Sequence, residues 1–156
     1  MQFSRSATSE DVLFVASNMR QGDVEECKAG GFTPLDALTF SYESSFVAYT
    51  LLTPQDVPAA ILGVSPSPVS DSLGVLWMLG TDDIKTHKFT FLRNCKPYLS
   101  YLFEITGKEA FYNYTYHENA LHHQWLKWLG FTFLRKVDLP PQGRTFYEFV
   151  KLKDNN

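Results

Sequence analysis

The sequence predicts a mixed α/β fold in one domain spanning 1–156, with a central mixed β-sheet flanked by helices. Three observations lead there. A length of 156 residues suits one domain with one core, because domains typically run to about 100–200 residues. Hydrophobic residues at 44%, of which many are aromatic, supply enough apolar volume to fill that core. Two β-type runs, "GVLWML" at 74–79 and "AFYNYTY" at 110–116, flank a long helical stretch. A crossover of that kind makes its two strands parallel and adjacent.

The elements follow in order. "FSRSA" alternates and reads as an opening strand. "TSEDVLFVASNM" starts a helix, with Thr8 or Ser9 as N-cap and acids in the first turn. "QGDVEECKAGG" is a second helix that puts Val24, Cys27 and Lys28 on one side and ends at Gly30–Gly31 as a C-cap. In "TPLDALTFSYES", Pro34 stands at N1 after Thr33, and Leu35, Leu38 and Tyr42 share a face. "FVAYTLL" and "AAILGV" form a hairpin across "TPQDVP". "SPSPVSDS" is a turn cluster too short to link two domains. The almost wholly apolar "GVLWML" suits a sheet centre covered on both faces.

"GTDDIKTHK" is a polar loop opening the helix "FTFLRNCKPYLSYLFEITG", where Leu92, Cys95, Leu99 and Leu102 form a stripe and Pro97 should kink the helix or start a new one. After the strand "AFYNYTY" comes a compact helix, "NALHHQWLKWL", expected to turn Leu121, Trp125, Trp128 and Leu129 inward. "FTFLRKV" and "RTFYEFVKL" close the chain as a hairpin across "DLPPQG".

Composition narrows the function. A net charge of -3 argues against a general nucleic-acid binder, whose domain is usually basic. No apolar run approaches the roughly 18 residues of a membrane span. The start "MQFSRSATSEDV" lacks the apolar segment of a signal peptide, which points to a cytosolic protein. Cys27 and Cys95 lie far apart without a CxxC pair and read as buried inert thiols. His122 and His123 are adjacent on one helix and so point about 100° apart. They cannot chelate one ion as an i, i+4 pair does, and no metal is expected.

The element order, with "N-x-x-x-x-x-W-L-x-x-L-G-F" after a central strand, resembles the GNAT superfamily of acyl-CoA-dependent N-acyltransferases. More narrowly, "WMLGTDDI" before a helix is similar to the GNAT-like internal virion proteins of short-tailed phages. The resemblance implies a mixed sheet whose two central parallel strands splay apart, with acetyl-CoA as cofactor in the gap. Its pyrophosphate would rest on the loop after the first of those strands, where Gly residues and a helix N-terminus favour phosphate. That assigns Leu79, Gly80 and Thr81 to the cofactor backbone contact, Lys85 and Lys88 to phosphate charge, and Asn119 to the cofactor arm. Asn119 also reads as a helix N-cap. The loop here has Gly80 alone and carries Asp82 and Asp83. Aligned on Leu129-Gly130-Phe131, the superfamily's usual Tyr acid falls on Leu126, which has no proton to donate.

Among the remaining groups His122 is the best base, since its ordinary pKa lies near neutrality, with Glu118 and His117 beside it. The expected function is therefore a phage-encoded GNAT-like protein that acts mainly by binding a protein partner, a virion component or a host protein, over a degenerate acyl-CoA site. The alternative is an active acetyl-CoA-dependent N-acetyltransferase modifying a host amine or protein. The same resemblance implies the host bacterial cytoplasm as location, with packaging in the virion as a variant.

Overall fold

A computed structural model describes residues 3–154. Strand β1 (Ser4–Ser6) leads into three helices, α1 (Ser9–Ser17), α2 (Gln21–Ala29) and α3 (Pro34–Ser44). A meander follows, β2 (Val47–Leu52), β3 (Pro58–Pro66) and β4 (Leu73–Gly80). Then come α4 (Asp83–Thr86), α5 (Lys88–Thr106), β5 (Ala110–Tyr116), α6 (Ala120–Trp128), β6 (Thr132–Leu139) and β7 (Arg144–Leu152). The seven strands form one sheet in the order β1-β2-β3-β4-β5-β7-β6.

Every neighbouring pair is antiparallel except β4–β5, which is parallel as the crossover requires. That pair is short. Leu73, Gly74 and Val75 face Ala110, Phe111 and Tyr112, and there the pairing stops. Both strands continue, β4 to Gly80 and β5 to Tyr116, so their C-terminal halves splay.

Local chemistry explains the helix ends. Thr8 closes a capping box: its side chain accepts from the Asp11 N–H, and Asp11 accepts from the Thr8 N–H. Thr33 caps α3 with Pro34 at N1. Gly31 follows α2 at φ 87°, a left-handed conformation that a Cβ would strain.

Period-2 alternation sorts the sheet into two faces. Ile61, Trp77 and Leu79 meet Val12 and Val15 of α1, Cys27 of α2 and Leu38 of α3. On the opposite face Leu62, Val64, Leu76, Phe111 and Phe149 meet Leu99, Leu102 and Phe103 of α5 and Leu126 of α6. Phe91 and Cys95 of α5 and Trp125 of α6 continue that layer over Leu51 and Ala60.

The structure departs from the sequence expectations in five places. Pro97 does not start a new helix, since α5 continues through it. Pro97 lies exposed, as does Arg93 one turn earlier, so the helix carbonyl left without a donor is on the side of solvent. The loop after β4 is not open but coils into the one-turn helix α4. Leu35 is largely exposed although Leu38 is fully buried. In α2, Cys27 is buried but Lys28 is exposed, and Asp23 and Ala29 turn inward instead. In α6 the buried pair is Trp125 and Leu126, while Trp128 is 49% exposed and Leu121 and Leu129 are half-buried. Trp128 instead lies against α5, donating its indole N–H to the Leu92 carbonyl at 3.2 Å under the Lys96 ammonium.

Candidate functional site

Where β4 and β5 part, each strand end exposes backbone groups with no ladder partner, and buried backbone polar groups must find one. Helix α2 supplies it. The Asp23 carboxylate accepts from the Gly80 N–H at the end of β4, 3.0 Å away, and the Gly80 carbonyl accepts from the Arg20 N–H at 2.9 Å. One turn along α2, Glu26 accepts from the Tyr116 N–H at the end of β5, 2.6 Å away. Residues 20, 23 and 26 thus span the gap with one face of a helix. Nearer the closed end, the Asn113 side chain donates to the Leu76 carbonyl at 2.8 Å.

Helix α6 completes the cluster. Asn119 is 2% exposed, and its carbonyl oxygen accepts both guanidinium nitrogens of Arg20, at 3.1 and 2.5 Å. Its amide donates to Asp23 at 3.1 Å. Asn119 occupies the N-cap position but makes no capping bond. A charged donor within reach outcompetes a neutral backbone N–H, so the capping reading is corrected. His122 Nδ1 lies 3.1 Å from the Thr115 hydroxyl, which itself donates to Glu26 at 2.9 Å, and 3.7 Å from Glu26 directly. Gly22 permits this packing: a Cβ there would sit 2.2 Å from an Arg20 nitrogen and 2.8 Å from Asn119 Oδ1.

Electrostatics inside the cluster follow from burial and pairing. Burial pulls the His122 pKa down, but the charge of Glu26 and the hydrogen bond to it outweigh burial and raise it above the ordinary value. Burial pushes Glu26 up, and His122, the Tyr116 N–H and the Thr115 hydroxyl more than reverse it, leaving it below the usual range. For Asp23 burial wins over Arg20, and its pKa is raised.

The rest of the splay is filled. Two small cavities, of about 10 and 30 Å³, share Met78, His122 and Trp125 as walls. Each has room for about one or two waters. Trp125 is 2% exposed, and its indole N–H has no partner among the described residues. In the loop after β4 the amides of 81 and 83–87 have partners: Thr81 donates to Ala59 O of β3, Asp83 to Thr81 Oγ1, Ile84 to Thr81 O, Lys85 and Thr86 to Asp82 O, and His87 to Asp83 O.

The candidate residues therefore separate. Asn119 and His122 come together in the buried cluster, with Gly80 bonded to it through its backbone. Leu79 and Thr81 sit buried at the end of β4, with Leu79 paired to Ile61 of β3. Lys85 and Lys88 are exposed on α4 and at the start of α5. His117 and Glu118 are exposed in the turn after β5, 3.9 Å from one another. Arg20, Asp23 and Glu26 escaped the sequence reading. Their spacing of three residues was the available signal, since it places all three on one helical face. Among the described residues no group of three His, Cys, Asp or Glu side chains is placed to hold a metal ion, and no helix is long and apolar enough to cross a membrane.

Neither a protein-family model nor a curated protein matches the sequence. Solved structures do match its fold. A GNAT-family acetyltransferase from Bacillus anthracis aligns at a TM-score of 0.72 with 11% identity, covering 96% of this chain and 93% of that one. Spermidine N-acetyltransferase from Vibrio cholerae, solved with CoA and spermine, gives 0.71 with 13% identity over 96% and 94%. AAC(6')-Ib, solved with ribostamycin and coenzyme A, gives 0.73 with 14% identity over 97% and 93%. The chain has the GNAT acetyltransferase fold. The phage virion proteins have no counterpart among these neighbours.

Proposed function

We propose that this chain, a single domain with the GNAT fold, acts mainly by binding a protein partner over a degenerate acyl-CoA site. The observation that carries this reading is the filled splay. In the structural neighbours solved with it, coenzyme A is a ligand of the same fold, but the residues present here do not fit it. Trp125 and the Arg20–Asp23–Asn119 cluster occupy the gap, leaving cavities of only about 10 and 30 Å³. The amides of 81 and 83–87, after β4, are already bonded, and Asp82 and Asp83 add negative charge there. Leu126, buried at 3% exposure, falls where the resemblance to the superfamily expects a proton donor. A protein contact is supported by the exposed Phe32–Phe40 stack, centroids 6.4 Å apart, on the N-terminal helical side. The resemblance carried by "WMLGTDDI" makes a virion or host protein the partner, in the bacterial cytoplasm or the particle.

One observation favours a second reading, an N-acyltransferase. The Glu26–Thr115–His122 chain holds Nδ1, and the His122 side chain lines both small cavities. A histidine so oriented is the group that would accept a proton from an acceptor amine, with His117 and Glu118 on the rim of the same strand end. Calorimetric titration with acetyl-CoA separates the two. The binding reading expects no heat up to about 1 mM ligand, the upper end of ordinary KM values. Micromolar affinity would overturn it and return Lys85, Lys88 and the Leu79–Thr81 backbone to the cofactor site.

A further inference from the structure

The cluster at the splay has one cation too few. Both carboxylates meet only donors: Asp23 accepts from the Gly80 N–H and the Asn119 amide, with the Arg20 guanidinium 3.6 Å away, and Glu26 accepts from the Thr115 hydroxyl and the Tyr116 N–H, with His122 Nδ1 3.7 Å away. Burial raises the Asp23 pKa, but a carboxylate whose oxygens meet only donors has no acceptor for a proton of its own and is ionised. Arg20 alone therefore faces two negative charges, and the sum reaches zero only when His122 carries a second proton. Among the described residues no further charge from another element compensates. Around His122, β5 offers Thr115, β4 Met78, β7 Phe149 and α4 Ile84, all uncharged, and on α6 itself the nearest titratable group is His123. An unbalanced buried charge is expensive.

We propose that α2 is a proton-controlled latch: protonated His122 balances Arg20, Asp23 and Glu26 and holds α2 across the ends of β4 and β5, and loss of that proton loosens α2 from both. The hydrogen bond from Nδ1 survives the change, because the proton that leaves is on the other ring nitrogen. What is lost is the charge balance, and with it the hold of Asp23 on Gly80 and of Glu26 on Tyr116. Loosening α2 uncovers the gap beside Met78 and Trp125. The raised His122 pKa agrees in sign. A histidine raised on folding stabilises fully below its unfolded value of about 6.5, and that contribution is lost as pH rises through the folded value.

Amide hydrogen exchange of the whole chain, expressed as protection relative to intrinsic rates, tests the latch between about pH 6 and pH 9, which brackets a raised histidine. The Gly80 and Tyr116 amides and those of α2 should lose protection with rising pH, by up to about tenfold per unit for a one-proton linkage. The Leu99 and Leu102 amides in α5 should not. His122→Gln should give low, pH-independent protection at the latch amides. Glu26→Gln removes one negative charge, so it should give pH-independent protection with α2 held even at the alkaline end. It reports independently should His122→Gln fail to fold. Flat protection in the wild type, a wild-type slope in either variant, or a parallel loss in α5 would overturn the latch.

Discussion

Replacing Trp125 with alanine tests the packing account most directly. The indole is 2% exposed and lies among Leu51, Ala59, Ala60, Ile84, Phe91 and Cys95, with the Phe91 ring centroid 6.1 Å away. Burying an aromatic of about 150–250 Å² at about 25 cal/mol per Å² is worth roughly 4–6 kcal/mol. One feature lowers the cost of losing it. The buried indole N–H has no partner among the described residues, and such a group carries a penalty of about 1–3 kcal/mol that the substitution removes. The expected net loss is about 3 kcal/mol, at the lower end of the usual range for emptying a large aromatic from a core. Urea unfolding followed by far-UV circular dichroism measures it. Trp125→Phe keeps most of the ring and discards the orphaned donor, so it should cost less than about 1.5 kcal/mol. A loss below about 1 kcal/mol for alanine, or equal losses for alanine and phenylalanine, would refute both the burial and the orphaned-donor arguments.

Gly22→Ala should destabilise by about 1–3 kcal/mol through overpacking, because the new methyl meets Arg20 and Asn119; thermal unfolding would show it, and an unchanged Tm would mean the cluster is looser than described. Burial pushes the Asp11 carboxyl up, but the guanidinium of Arg5, the Thr50 hydroxyl and the Thr8 N–H hold it below the ordinary carboxylate range. Its contribution is therefore present above the unfolded value of about 3.9 and lost as pH falls through the folded one. Asp11→Asn should flatten that acid limb of a Tm–pH curve. Lys85→Glu with Lys88→Glu should leave stability within about 0.5 kcal/mol of wild type, as should His117→Ala and Glu118→Ala, because all four side chains are solvated. Chemical denaturation would reveal any larger effect.

Local chemistry determined most of the architecture. The Thr8 and Thr33 caps, Pro34 at N1, Gly31 past α2 and the apolar strand at 74–79 each act through neighbours in sequence, so they were legible without coordinates. The parallel β4–β5 pair was legible for the same reason, since a long helix between two strands leaves little choice. What tertiary structure alone decided is where polar groups find partners. Pro97 reads as a kink or a new helix start, and α5 continues through it because its unsatisfied carbonyl is on the side of water. Asn119 reads as a cap, yet Arg20, 99 positions away in the chain, takes its oxygen. Asp23 and Glu26 read as ordinary helix acids beside the exposed Glu25, and only the splay of two distant strands turns them inward to unpaired N–H groups. Hydrogen-bond demand at a strand end is created by the gap in the sheet, and that gap exists only once both strands are in place.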